Sequence, residues 1–260
     1  MRHSDGLIQR LAVLKGTIAE AHKLLRQLKM VRRSKPVKAY SLLVLNDLTR
    51  KCESIVAMAE SKSQRGIDIV ARSCFESYVD LINLLQFGDE YTVFMQWLSN
   101  RQQISFMQAF VQKRSKLSES YERQAQQIFG KALAGVLKDI KSETASLEQQ
   151  MASRFKDRNG KVQRRDRLRF ELAQHDEEYD SLYRTLSIAV HGNVAGMLEG
   201  IADRGTVQWP PREPANEPIA SLDSVCRMLL TSTRRLAKRY KKPVAPINRL
   251  VRRLGEIRRG

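Results

Sequence analysis

Between residues 6 and 31, Leu7, Leu11, Leu14, Ile18, Ala21, Leu25 and Leu28 recur at alternating steps of four and three. That rhythm is an apolar seam over three heptads. It predicts an amphipathic helix that packs on another helix or on a second copy of itself. Further helices read over 39–60, 67–87, 90–112 (rich in large apolar side chains), 116–155 (more polar, with a break near Gly130), 163–174 (weakly helical), 176–191, 220–240 and after Pro246, while no alternating strand pattern of useful length occurs. Gly66 and Gly88 read as breaks, Pro36 as the stop after a basic stretch, and Asn159-Gly160 as a turn. With only 13 Gly and 7 Pro in 260 residues, turn-rich β architectures are disfavoured, and an all-α fold is predicted. Four of the prolines fall in 205–218, which reads as a loop.

Charge divides the chain into three parts. Residues 1–38 hold 10 basic and 2 acidic side chains, and 227–260 hold 12 basic and 1 acidic, out of a formal net charge of +18. Residues 39–226 are left with 24 basic and 25 acidic side chains, a net of −1. A neutral body between two positive ends predicts a polyanionic partner, foremost a nucleic acid. Arg32, Arg33, Lys35, Arg234, Arg235, Lys238, Arg239, Lys241, Lys242, Arg249, Arg252 and Arg253 are the candidate contacts. In the last helix, Ile247, Leu250, Val251, Leu254 and Ile257 share a face, with arginines on or near the other.

Cys52, Cys74 and Cys226 are an odd, scattered set without a Cys-x-x-Cys, which predicts neither disulfides nor a zinc site and fits a reducing cytoplasm. No signal-peptide core and no membrane-spanning run occurs. Phosphate loops and the common hydrolase motifs are absent. His175 precedes Asp176-Glu177-Glu178, but consecutive helical residues point in different directions. Those acids read as a helix start rather than a metal set, and neither metal nor cofactor is expected.

The stretch Tyr183-Arg184-Thr185-Leu186-Ser187-Ile188-Ala189-Val190-His191 carries the chemistry. Seven helical residues turn through about 700°, so Arg184 and His191 leave one face about 10 Å apart, with Ser187 between them. Arg72 and Glu76 form a second polar pair at four-residue spacing on an otherwise apolar helix. Imidazole can move protons near neutrality, and guanidinium matches phosphate oxygens. That set suits metal-free RNA cleavage by the 2′-hydroxyl, although such a set between two helices is often just a structural polar network.

Arg184, six intervening residues and His191, late in a helical domain, resemble the R-x4–6-H motif of the HEPN superfamily. The pairing of Arg72-Ser-x-x-Glu76 with Tyr183-x-x-x-Ser187-x-x-x-His191 is similar to that of a bacterial HEPN-like family, over about residues 40–200. The resemblance implies a HEPN-like bundle over 39–204, with a helical insertion at about 100–165. Basic helices at 1–38 and 219–260 would be appendages. It implies a metal-independent endoribonuclease, a homodimer, acting as a toxin or anti-phage effector beside an antitoxin or defence-complex partner. Arg184 and His191 would be catalytic, and Arg72, Glu76, Ser187 and Tyr183 supporting. The alternative is a non-catalytic nucleic-acid-binding or assembly subunit.

Overall fold

A computed structural model describes residues 3–28, 35–61, 66–112, 116–163, 166–179 and 219–259. These residues form α1 (His3–Leu28), α2 (Pro36–Glu60), α3 (Ile67–Phe87), α4 (Asp89–Gln112), α5 (Lys116–Phe129), α6 (Leu133–Gln150), α7 (Asp166–Leu172), α8 (Asp176–Glu178), α9 (Ile219–Arg239) and α10 (Ala245–Arg259). The protein is all-α, and among the described residues the only extended pairing is an isolated bridge between Lys156 and Val162. The expected loop 205–218 lies outside the described residues. Pro36 does more than stop a helix, because it sits in the first turn of α2, where its missing N–H costs nothing.

The chain divides into two compact units, Met1–Gln86 with Arg169–Gly260, and Phe87–Leu168. In the first unit α1 packs against α2, α9 and α10, and α9 also meets α2. Contact on several sides explains why α1 buries more than its predicted seam. Val13, Thr17 and Leu24 join Leu14, Ala21 and Leu28 inside, while Leu7, Leu11, Ile18 and Leu25 are only partly covered. Gly16 lies at the α1–α10 crossing, where a Cβ would meet Leu250 Cδ2 at 3.0 Å.

The basic ends are therefore not appendages. Residues of α1, α9 and α10 share one core with α2 and α3, including Leu14, Leu45, Phe75, Cys226, Leu229 and Leu254. Their basic side chains lie mostly on outer faces, which leaves an apolar face of each helix for the core. On α10, Ile247 and Leu254 are buried and Leu250 and Ile257 pack on the core, but Val251 remains exposed.

Three threonine hydroxyls buried in this core are satisfied within their own helices. Thr17, Thr49 and Thr233 each donate to the carbonyl four residues back, at 2.7 Å in every case. Buried Ser77 instead accepts from Lys51 Nζ and donates to Asp47 Oδ2, both at 2.7 Å, which ties α3 to α2.

The second unit is built from α4, α5, α6 and a small turn. Tyr91, Phe94, Trp97 and Phe155 form its aromatic centre, with Phe94 and Phe155 stacked at 4.8 Å. Asp157 Oδ1 accepts from the backbone N–H groups of Asn159 and Lys161, at 2.8 and 3.0 Å, and Gly160 takes a φ of 74°. This is the turn predicted from Asn159-Gly160. The break near Gly130 is also present, at a φ of 62°. After it, Glu122 accepts from the Leu133 N–H at the start of α6, where negative charge is favoured.

Candidate functional site

The helix α3 carries a polar row along an apolar helix: Asp68, Arg72, Glu76, Asp80 and Asn83. Steps of three and four place these residues along one side of it. Asp68 accepts from Ser221 at 2.6 Å, which joins the start of α3 to α9. Arg72 Nε lies 3.6 Å from Glu76 Oε1, and both side chains are mostly covered. The predicted Arg72–Glu76 pair is thus formed.

Further along, Arg169 reaches Asp80 through two bonds, Nε to Oδ1 at 2.9 Å and Nη2 to Oδ2 at 2.5 Å. Its Nη2 also lies 3.5 Å from the Glu76 carbonyl. Asn83 Nδ2 donates to the Arg169 carbonyl at 2.8 Å. Such a bidentate, largely covered ion pair fixes both distance and orientation, so α7 is held in register on α3.

The chain then turns toward the residues that precede the Arg–His motif. Gln174 takes a φ of 60°, and the His175 N–H donates to the Phe170 carbonyl at 2.9 Å. A left-handed residue after α7 closes that helix and sends the chain back across α3. There the Tyr78 hydroxyl lies 3.1 Å from His175 Nε2, and Glu178 Oε1 lies 3.2 Å from Nδ1. Phe75, Phe170 and Tyr179 pack around them, with Phe75–Phe170 and Phe170–Tyr179 both at 4.9 Å. The carboxylate, imidazole and phenol lie side by side at the edge of an aromatic cluster, with Nδ1 buried and outside hydrogen-bond geometry. Burial raises the Tyr78 pKa, the charges of Arg235 and Arg227 on α9 lower it, and Glu178 raises it. The basic face of α9 therefore acts electrostatically on this corner of the first unit.

Tyr183, Arg184, Ser187 and His191 lie outside the described residues, as do Arg32 and Arg33. Of the predicted basic contacts, Lys35 is exposed just before α2. Arg235, Lys238, Arg239, Lys241, Arg249, Arg252 and Arg253 are exposed on α9, α10 and the turn between them, while Arg234 and Lys242 are half-buried. Arg239 also donates to the Leu85 carbonyl at 3.1 Å, closing α9 onto α3. Lys241 adopts a φ of 53°, and Lys242 N–H donates to the Ala237 carbonyl at 2.8 Å, so two of the candidate lysines form the end cap of α9.

Sequence reasoning missed Asp80, Arg169, Tyr78 and His175 as partners. Local spacing places His175 only beside its acidic run, yet it meets a tyrosine 97 positions away. The three cysteines are free and buried. Cys52 and Cys74 share a hydrogen bond across α2 and α3, and this bond, with burial, raises the Cys52 pKa. Burial pushes Cys226 up to about 12. Thiols held protonated in this way are poor nucleophiles.

Among the described residues no group of His, Cys, Asp and Glu is placed to hold a metal ion, and no helix is long and apolar enough to cross a membrane. Residues 38–205 match the model of a family of unknown function (DUF5677), and the chain belongs to that family. The matched span takes in Arg72, Glu76 and the Arg184–His191 motif, and it leaves out α1, α9 and α10. No curated protein and no solved structure matches the chain.

Proposed function

We propose that this protein is a metal-independent endoribonuclease with a HEPN-like core. The observation that carries the reading is the spacing of Arg184 and His191 on one predicted helical face. What supports it is the polar corner on α3, where Arg72 and Glu76 pair and where the chain, held at Tyr78 and Phe170, runs on into the motif.

The reaction is a transesterification. The 2′-oxygen bonds to phosphorus, and the bond from phosphorus to the 5′-oxygen breaks. His191 takes the 2′-hydroxyl proton or protonates the departing 5′-oxygen, and Arg184 stabilises the added charge on the phosphorane-like transition state. Arg72, Glu76, Ser187 and Tyr183 support the pair. The proposed setting is a cytoplasmic homodimer acting as a toxin or anti-phage effector. A substrate carrying a single 2′-deoxynucleotide tests the chemistry. Cleavage is expected to vanish at that linkage alone, because the nucleophile is missing. Cleavage there at the ordinary rate rules the mechanism out.

A second reading is favoured by the exposed arginines of α9 and α10. In it the protein binds nucleic acid without cutting, as an assembly subunit, and the Arg–His pair is structural. This reading predicts strong salt-dependent binding and intact RNA.

A further inference from the structure

Asp223 on α9 is only 8% exposed, yet three arginines from three helices converge on it. Arg10 Nε from α1 lies 3.6 Å from Oδ1, while Arg227 Nε from α9 and Arg258 Nε from α10 lie 3.6 and 3.4 Å from Oδ2. Arg10 Nε and Asp223 Oδ1 are both buried and make no hydrogen bond. One carboxylate is satisfied by a single bidentate guanidinium, so three loosely held ones exceed what docking requires. The cluster carries three positive charges against one negative. It is also half open, since the Arg227 and Arg258 side chains are 54% and 49% exposed, whereas Arg10 is covered at 13%.

We infer that Arg227 and Arg258, positioned by Asp223 and backed by the charge of Arg10, seat one backbone phosphate of a bound nucleic acid. Each offers its Nε edge to the carboxylate and keeps half of its surface in solvent, as an anion-binding fork requires. A phosphodiester offsets part of the excess charge. The exposed Arg235 and Lys238, eight and eleven residues after Arg227, continue the positive face of α9 for a polymeric anion. No aromatic residue occurs from Lys241 to Gly260, so α10 has no base-stacking platform, and contact there is to the backbone. The inference rests on the reading of this protein as RNA-binding, and it adds a contact outside the span that defines the family.

The test uses the full chain and a short fluorescent RNA with every 2′-hydroxyl methylated, so that binding is read without cleavage across a salt series. Arg227→Gln with Arg258→Gln is expected to weaken binding by roughly tenfold or more, and to flatten the slope of log affinity on log salt by about one to two. Arg227→Lys with Arg258→Lys keeps the charge, and is expected to keep the slope but lose affinity. Wild-type affinity and slope in both double variants would overturn the seat, as would a wild-type protein that binds no RNA. Unmodified RNA of the same sequence that is bound but never cut contradicts the proposed nuclease and spares the seat. RNA that is cut by a protein whose slope ignores Arg227 and Arg258 does the reverse.

Discussion

The Tyr78 hydroxyl and His175 Nε2 lie 3.1 Å apart, joining α3 to the turn that leads toward the Arg–His motif. Both groups are largely covered, so deleting the hydroxyl strands the imidazole nitrogen rather than returning it to water. Tyr78→Phe is expected to cost about 1 kcal/mol of stability. Urea unfolding checks this, and the slope on denaturant should stay unchanged.

Asp80 and Arg169 make the stronger test of the same corner. Asp80→Asn leaves a largely covered guanidinium without its bidentate carboxylate and is expected to cost about 2–3 kcal/mol. The exposed pair Lys131–Asp139, at 56% and 59% side-chain exposure, serves as the comparison. Asp139→Asn should cost about 0.5 kcal/mol or less, because solvent screens such pairs. Equal losses at the two sites would contradict the role given to Arg169.

Gln174 sits at a φ of 60°, a region that side chains without β-branching enter at a cost and β-branched ones avoid. Gln174→Gly is expected to gain up to about 1 kcal/mol, and Gln174→Val to lose about 1–2 kcal/mol. Melting temperatures of the two variants should move in opposite directions.

The buried thiols make stability depend on alkaline pH. Cys226 titrates near 12 when folded against an ordinary value of 9.0, so the native state holds its proton more tightly than the unfolded chain does. Its contribution is complete below about pH 9 and is lost as pH rises toward 12, by up to about 4 kcal/mol. Cys52 and Tyr78 shift in the same direction. Melting curves from pH 8 to 11 should show the decline, and Cys226→Ala should flatten it. A thiol-specific dye should react slowly with the native protein and fully after unfolding.

Helix existence was legible where an apolar stripe is written in the sequence, as in α1 and α10, and elsewhere from long runs between Gly breaks without any strand alternation. The bounds of α3 follow from Gly66 and Gly88, and the break between α5 and α6 from Gly130. The depth of each face was not legible. The seam of α1 reads as contact with one partner helix, whereas α1 has three neighbouring helices and buries Val13, Thr17 and Leu24 as well. Charge misled in the same way. The basic density of 227–260 suggests an appendage, yet those side chains lie mostly on the outer faces of α9 and α10, while Leu229, Leu236 and Leu254 carry the inner faces into the core. Of the site, Arg72 with Glu76 was visible because four residues is about one helical turn. Asp80 with Arg169 and Tyr78 with His175 were not, since their pairing depends on how α7 folds back over α3. No local pattern encodes an approach across separations of 89 and 97 residues.

Cleavage in the presence of EDTA tests the central claim most directly. Purified wild type, Arg184→Ala and His191→Ala are incubated with single-stranded RNA, and initial rates are compared at equal protein concentration. Wild type is expected to cut, leaving a 2′,3′-cyclic phosphate, and each variant to be slower by about a hundredfold or more while still binding the RNA. Equal rates in all three proteins, or activity that disappears with the chelator, would contradict it.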